Sequence, residues 1–150
     1  MKEAEIHQFL IEHLLTVKNN DVAGYYETTD PDLTVYEWWV TPHRIDGIPF
    51  HEFMIKENAK KGTVFGSESN SNRGEAETRF DLSNLKIQRY GDTAIASYTL
   101  LTTTSSSEGI QVASHHESRV IIKREGTWKV VHVHKSPAWQ APHMPPTLSA

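Results

Sequence analysis

The stretch from Ser114 to Pro137 constrains the fold more than any other part of the chain, because it predicts a pair of antiparallel strands. It reads SHHESRVIIKREGTWKVVHVHKSP, with two β-branched runs on either side of the segment from Arg124 to Thr127. A short connection that contains a glycine, set between two such runs, is typical of a β-hairpin. Neither run has one clean polar face, although one side of an antiparallel hairpin usually meets water. We therefore expect both faces of this hairpin to contact protein.

Alternation along the two strands predicts which side chains share a face. One face of the second strand would carry Trp128, Val130, His132 and His134. Its other face would carry Lys129, Val131, Val133 and Lys135. In the first strand, one face would carry His115, Glu117, Arg119 and Ile121. Charged groups thus interrupt apolar faces, and they require partners within the fold.

Helices are expected first along the chain. Residues 2–18 carry an apolar stripe at helical spacing, made of Ile6, Phe9, Leu10, His13, Leu14 and Val17. The segment Asn19-Asn20-Asp21 predicts the end of this helix and the cap of a short second one, through about Glu27. Pro49 suits the first turn of a third helix, which is expected to run through about Lys60.

Strands are expected between and after these helices. Thr29 to Asp32 predicts a turn, and the β-branched and aromatic run from Leu33 to Val40 predicts a strand. Gly62 to Thr78 is polar and predicts a loop. The strands that follow are Arg79–Arg89 and Thr93–Thr104, with turns at Tyr90-Gly91-Asp92 and at Ser105 to Gly109.

This order of elements predicts an α+β fold, in which N-terminal helices pack on a curved, mostly antiparallel sheet. Such a sheet, closed at one end by helices, forms a cone with a pocket. We expect one domain over residues 1–137 and a proline-rich tail over residues 138–150.

Composition excludes several classes of protein. The net charge is -4 and no long basic run occurs, which argues against nucleic-acid binding. No apolar stretch approaches the roughly 18 residues that a membrane span requires, and the N-terminus lacks the features of a signal peptide. The absence of cysteine excludes disulfides and thiolate chemistry. We expect a cytoplasmic protein that binds neither nucleic acid nor membrane.

Several short motifs occur in a fixed order along the chain. They are Asn19-x-Asp21 with Tyr25, Asp30-Pro31-x-Leu33-Thr34-x-Tyr36-Glu37, Gly47-x-x-Phe50-His51-x-Phe53, Gly91-Asp92-x-Ala94, Glu117-Ser118-Arg119-Val120, and Arg124-x-Gly126-x-Trp128-Lys129-x-Val131-His132-x-His134-x-Ser136. With them, the chain from about Asn19 to Pro137 resembles the association (hub) domain of calcium/calmodulin-dependent protein kinase II, which has the nuclear-transport-factor-like (SnoaL-like) cone fold. The resemblance implies a non-catalytic domain, without a cofactor, that assembles as a homo-oligomer: a dimer or a ring of dimers. Because no kinase or linker precedes the domain, we expect a free-standing relative.

The resemblance also implies a pocket in which arginines face a glutamate and a histidine and bind small carboxylates. By position, the glutamate is Glu37, the histidine is His51 and one arginine is Arg119. Lys135 replaces a second arginine and offers only a point charge, and Leu100 replaces a third. Since Glu37 neutralises only one of the two cations, a small organic anion would balance the other. The candidate ligand-binding residues are Arg119, Lys135, Glu37, His51 and Tyr98.

Two interpretations of this pocket stay open. Arg119 and Glu37 form either a buried ion pair alone or a pair that also anchors a ligand. The alternative function is a small-molecule enzyme of the ketosteroid isomerase or polyketide cyclase type. Such an enzyme would use Glu37 or His51 as general base and Tyr98 or Tyr36 as oxyanion donor. A third class, an adaptor that binds a peptide at the mouth of the cone, has no sequence feature of its own.

Histidines and tryptophans give two further hypotheses. His132 and His134, with His115-His116 on the adjacent strand, have spacing that suits a metal. No cysteine and no convincing carboxylate lies nearby in sequence as a third ligand, so we expect no metal. Trp128 is expected at an oligomer interface, where aromatic residues are enriched. Trp38 and Trp39 are assigned to neither the cavity nor an interface.

Overall fold

The structure, a computed structural model, describes residues 2–61, 77–142 and 144. Within them, three helices pack against one six-stranded sheet with the strand order β2-β1-β6-β5-β4-β3. The helices are α1 (Lys2–Lys18), α2 (Val22–Thr28) and α3 (Pro49–Lys61). The strands are β1 (Thr29–Glu37), β2 (Ile45–Asp46), β3 (Glu77–Tyr90), β4 (Thr93–Ser106), β5 (Gly109–Arg124) and β6 (Thr127–Pro137). Neighbouring strands are antiparallel except β1 and β6, which are parallel, and the predicted α+β class is confirmed.

The three helices form where the sequence predicts them. The stripe of α1 enters the core, where Ile6, Leu10 and Leu14 are fully buried. Asp21 caps α2 by accepting a hydrogen bond from the Gly24 N–H at 3.0 Å. Pro49 is the first residue of α3, where a missing N–H is tolerated because it would have no partner within the helix.

The expected turn at Thr29 to Asp32 is wrong, because β1 already begins at Thr29. Asp30 is held in this strand by Arg124, whose Nη1 lies 2.9 Å from its Oδ2. The register between β1 and β6 shifts between Thr29 and Thr34, and Pro31, which has no N–H, lies within that irregular stretch. Local turn propensity therefore gives way to pairing with the neighbouring strand.

Three other boundaries differ from the sequence-based expectation. β1 ends at Glu37 rather than Val40, since the Val40 N–H bonds the Glu37 carbonyl at 3.1 Å and forms a turn. The short strand β2 is absent from the sequence-based expectation. β4 and β5 are longer than expected, so that only Ser107 and Glu108 connect them. Of the expected loop from Gly62 to Thr78, residues 62–76 lie outside the described part, and Glu77 and Thr78 belong to β3.

A β-bulge in the last hairpin breaks the strict alternation that the sequence suggests. Val120 pairs with His132 but Ile121 pairs with Val130, so Val131 is the extra residue in β6. The side of β6 that faces the core therefore changes along the strand. Trp128 and Val130 point inward before the bulge, and Val133 points inward after it.

Because of this bulge, Trp128 does not share a face with His132. It is 5% exposed, and its indole N–H donates to Glu5 of α1 at 3.1 Å. The Arg89 guanidinium carbon lies 5.1 Å from the centre of its ring. The expectation that Trp128 lies at an oligomer interface is wrong, because its own chain covers it.

Candidate functional site

A cavity opens between the three helices and the inner face of the sheet. Its apolar wall consists of Val17, Tyr25, Val35, Met54, Ile55 and Val133. Its charged and imidazole groups are Glu37, His51, His115, Glu117, Arg119 and Lys135. Four of the five candidate ligand-binding residues therefore line one cavity, and Tyr98 lies behind them.

Strand register brings the charged groups together. Glu37 of β1 pairs with Lys135 of β6, and Lys135 pairs in turn with Glu117 of β5. Side chains that are paired across neighbouring strands point to the same face of a sheet. A row of carboxylate, ammonium and carboxylate thus crosses three strands on the inner face.

Arg119 is paired with Glu117 rather than with Glu37, which corrects the sequence-based expectation. The two side chains are 4% and 2% exposed, and Nη1 of Arg119 contacts Oε1 of Glu117 directly. Tyr98 completes the contact: its hydroxyl donates to Glu117 Oε1 at 2.6 Å and accepts from Arg119 Nη1 at 2.6 Å. The second carboxylate oxygen of Glu117 lies 2.6 Å from His115 Nε2 and 3.8 Å from Lys135 Nζ. Glu117 is therefore the centre of a buried network.

Sequence reasoning placed Glu117 and Arg119 on one face of β5 and left Glu117 out of the site. The spacing of two residues was the signal that could have found it, since such residues are neighbours on one side of a strand. Glu117 changes the charge balance of the cavity. Two carboxylates, Glu37 and Glu117, face two permanent cations, Arg119 and Lys135, so no bound anion is required to balance a charge.

Glu37 has its own partners at the other side of Lys135. Its Oε1 lies 2.6 Å from His51 Nε2 and 3.6 Å from Lys135 Nζ. Burial would raise the pKa of Glu37, but the charge of Lys135, the hydrogen bond from His51 and the charge of Arg119 lower this pKa to about 2.

The same balance applies to Glu117. Burial would raise its pKa, yet the charges of Arg119 and Lys135 and the contact with His115 hold this pKa well below its ordinary value of 4.5. Burial would also lower the pKa of Arg119, and Glu117 instead raises that pKa above its ordinary value. Both carboxylates are therefore ionised at neutral pH.

The two tyrosines that were considered as oxyanion donors do not serve that role. Tyr98 is 4% exposed, and its hydroxyl proton is already committed to Glu117. Tyr36 lies on the opposite face of the sheet, where its ring centre is 5.5 Å from that of His134. An enzyme that uses either tyrosine is not supported by this geometry.

Trp39, which the sequence left open, belongs to the wall of the cavity. The Lys135 ammonium lies 5.2 Å from the centre of its ring. Trp38 meets Trp39 edge to face at 4.5 Å, and the His115 ring is 5.5 Å from Trp38. Trp38 and Trp39 are 41% and 42% exposed, so this aromatic group borders the solvent beside the charged network.

The four histidines of β5 and β6 do not converge on a metal site. His132 and His134 lie on the outer face of the sheet, where His132 Nδ1 is 2.7 Å from Thr34 Oγ1. His115 turns inward to Glu117, whereas His116 contacts Thr99. Over residues 2–61, 77–142 and 144, no three potential ligands are grouped around one point. In that same part of the chain, no helix is long and apolar enough to cross a membrane.

Two buried polar atoms of the site have no hydrogen-bond partner among the described residues. They are Nε of Arg119 and Nδ1 of His51. Buried polar atoms are rarely left without a partner, because the loss of hydration destabilises the fold. Water or a small polar ligand would satisfy both.

The sequence and the fold of this chain were compared with those of known proteins. Residues 2–139 match the family described as calcium/calmodulin dependent protein kinase II association domain. The chain belongs to this association domain family. The delta subunit of rabbit (Oryctolagus cuniculus) calcium/calmodulin-dependent protein kinase type II is 28% identical in an alignment of 149 residues that covers 98% of this chain and 26% of the relative. The chain thus spans about a quarter of that relative's length.

Solved structures show the same fold as this association domain. The C. elegans CaMKII association domain is 25% identical, with a TM-score of 0.71 over 90% of this chain and 95% of the other. The Chlamydomonas reinhardtii CaMKII hub homology domain is 22% identical, with a TM-score of 0.74 over 93% of this chain and 100% of the other. An NTF2-like protein of unknown function from Pseudomonas putida is 18% identical, with a TM-score of 0.68 over 94% and 89% of the two chains. The expected cone fold is confirmed.

Replacing Arg119 with methionine tests the buried network. Arg119→Met leaves Glu117 buried without its main counter-charge, and loss of one partner of a buried pair costs about 3–5 kcal/mol in free energy of unfolding. We expect that loss in urea denaturation at neutral pH. Arg119→Met combined with Glu117→Leu should be more stable than Arg119→Met alone, because the uncompensated carboxylate is removed.

Arg79→Met is the matched control, since Arg79 pairs with Asp81 at 3.8 Å with both side chains largely exposed. Its urea midpoint should stay close to that of the wild type. Equal losses for Arg119→Met and Arg79→Met would show that the buried network contributes no more than a surface contact.

Proposed function

We propose that this chain is a non-catalytic self-association domain that forms a homo-oligomer, a dimer or a ring of dimers. The observation that carries the non-catalytic part is the state of the two carboxylates in the cavity. Glu37 and Glu117 are each held ionised by cations and hydrogen-bond donors. A general base works best with a pKa near the working pH, and both groups lie far below it.

Membership of an association domain family supports self-association. The outer face of the sheet offers a surface for it, because no helix covers that face within the described residues. There Tyr36 is 38% exposed, and Val120 and Ile95, which pair across β5 and β4, are half-buried. Aromatic and β-branched side chains on an uncovered face are typical of contact surfaces between subunits.

We further propose that the cavity binds a small organic anion weakly, through Lys135 and Arg119. Lys135 is 16% exposed and borders the cavity, and Arg119 retains an N–H without a partner among the described residues. His51 offers a third polar group, and Tyr98 orients Arg119 from behind. Since Glu37 and Glu117 already neutralise both cations, the anion gains hydrogen bonds and little net charge attraction. Two charge-assisted hydrogen bonds of about 1.5–3 kcal/mol each, less the entropy lost on binding, correspond to millimolar rather than micromolar affinity.

A cone-fold enzyme is a second candidate because of one feature, the contact between His51 and Glu37. A histidine that is oriented by a carboxylate is a common general base. Its Nδ1 is buried, however, and both tyrosine donors are engaged or face away. The arrangement supports binding better than proton abstraction.

Light scattering of the purified protein tests self-association. The molar mass of one chain is 17.0 kDa. At micromolar concentration we expect at least twice this mass, because an uncovered sheet face is stabilised when another copy buries it. A single species with the mass of one chain would contradict the proposal.

Titration with acetate and 4-hydroxybutyrate, followed by nuclear magnetic resonance, tests anion binding. Signals of the cavity residues should shift and saturate in the millimolar range. Lys135→Gln should weaken binding by roughly tenfold or more, because it removes one charge-assisted hydrogen bond. Lys56→Gln, on the exposed side of α3, is the control and should bind like the wild type. If the wild type does not respond at high millimolar ligand, or if Lys135→Gln and Lys56→Gln bind with equal affinity, the cavity has a structural role only.

A further inference from the structure

The first six residues of β5 extend beyond the end of β6, the strand that pairs with the rest of β5 on that side. β5 pairs with β6 only from His115 onward, where its partner is Pro137. A proline has no N–H to donate to a strand ladder, so β6 ends there. Residues 109–114 pair with β4 on one side and, within the described residues, have no strand on the other. Because hydrogen-bonding groups alternate between the two sides of a strand, every second residue of this segment directs an N–H and a C=O to the open side.

The other open edges of the sheet carry features that prevent pairing. β3 has Arg79, Asp81, Lys86 and Arg89, and its register shifts between Ser83 and Lys86. β2 is only two residues long, and Asp46 in it pairs with Arg44. Charges, bulges and short length are the usual means by which proteins keep an edge strand from pairing with another chain.

The open segment of β5 has none of these features. Its sequence, Gly-Ile-Gln-Val-Ala-Ser, contains no charge and no proline. Its register with β4 is continuous from Gly109 to Ile122, without a bulge. All six residues are exposed, and Ile110 and Val112 on one face are 71% and 64% exposed. This edge alone among the three is unprotected, which is the expected property of an edge that is used for pairing.

We propose that residues 109–114 form a β-pairing interface that binds the same segment of a second copy in antiparallel orientation. The six residues span about 20 Å, enough for a short ladder between the two sheets. A two-fold axis places a strand antiparallel to its own copy, so each open N–H meets a C=O of the partner. Because the segment is uncharged, it meets itself without like-charge repulsion, and Ile110 and Val112 become buried against the other copy. The proposal rests on the proposed self-association and adds this edge to the outer face of the sheet as a second contact surface.

A second copy fits this edge better than a strand from another protein. The segment is complementary to itself, and the family to which the chain belongs is described by association. Pairing with a strand of another protein would not require this self-complementarity. The experiment below therefore tests whether the segment pairs with its own copy.

The test uses two oppositely charged variants, Val112→Lys and Val112→Glu. In an antiparallel pair of identical segments, residue 112 lies close to its own copy, so each variant alone places like charges together. We expect each to dissociate at a several-fold higher concentration than the wild type, by light scattering over a dilution series. An equimolar mixture of the two variants should restore association, because lysine then meets glutamate. Circular dichroism should show an unchanged fold, since Val112 is exposed.

Tyr90→Lys is the matched control, because Tyr90 is 62% exposed at the end of β3 and lies outside the proposed interface. It should associate like the wild type. If the wild type associates and both Val112 variants behave as it does, the edge is not the interface, while self-association stands. If each variant dissociates and the mixture does not reassociate, the segment does not pair with itself, and the proposal is overturned. A monomeric wild type would overturn both proposals.

Discussion

The buried carboxylate of Glu117 is the group on which the arrangement of the cavity depends. An ionised carboxylate in the interior is strongly unfavourable unless it is paired and hydrogen-bonded. Here Arg119, Tyr98 and His115 contact it, and Lys135 lies beside it. Lys135 in turn links this cluster to Glu37 and His51 on the opposite wall. Removing the carboxylate would leave Arg119 without its counter-charge, so the network is stable only as a whole.

The same network is the reason that we propose binding rather than catalysis for the cavity. Its charges are balanced within the protein, and its hydroxyl and imidazole groups are mostly engaged with its two carboxylates. Catalytic sites instead keep a group poised near the working pH. We therefore propose weak recognition of a small polar molecule in the cavity and contact between subunits at the uncovered surfaces of the sheet.

The fold could be predicted from the sequence to a large extent, since helical spacing, a capping aspartate and β-branched runs are local signals. The charged face of β5 and Lys135 were also evident from alternation. The bulge at Val131 could not be predicted, because a run of valines and histidines gives no signal for an extra residue in a strand. Without the bulge, simple alternation assigned Trp128 to the wrong face of the sheet. The pairing of Arg119 with Glu117 was missed for another reason. The two-residue spacing of Glu117 and Arg119 on β5 was a usable signal, but the resemblance pointed to Glu37 on β1 as the partner, and the sequence alone does not show which carboxylate comes nearer in space.

Both carboxylates of the cavity stay ionised at neutral pH because the protein's own cations hold them so. Titration of the glutamate side-chain carboxyl carbons by carbon-13 nuclear magnetic resonance measures this directly, with Glu37→Gln and Glu117→Gln to assign the signals. The signal of Glu37 should change only near the pKa of about 2, and that of Glu117 should change only well below its ordinary value of 4.5. As the pH falls from the ordinary value of 4.5 towards these lowered values, the free energy of unfolding should fall, because in this window the unfolded chain binds more protons than the folded chain. A titration of either carboxyl near neutral pH, as expected of a general base, would show that the cations do not hold it ionised.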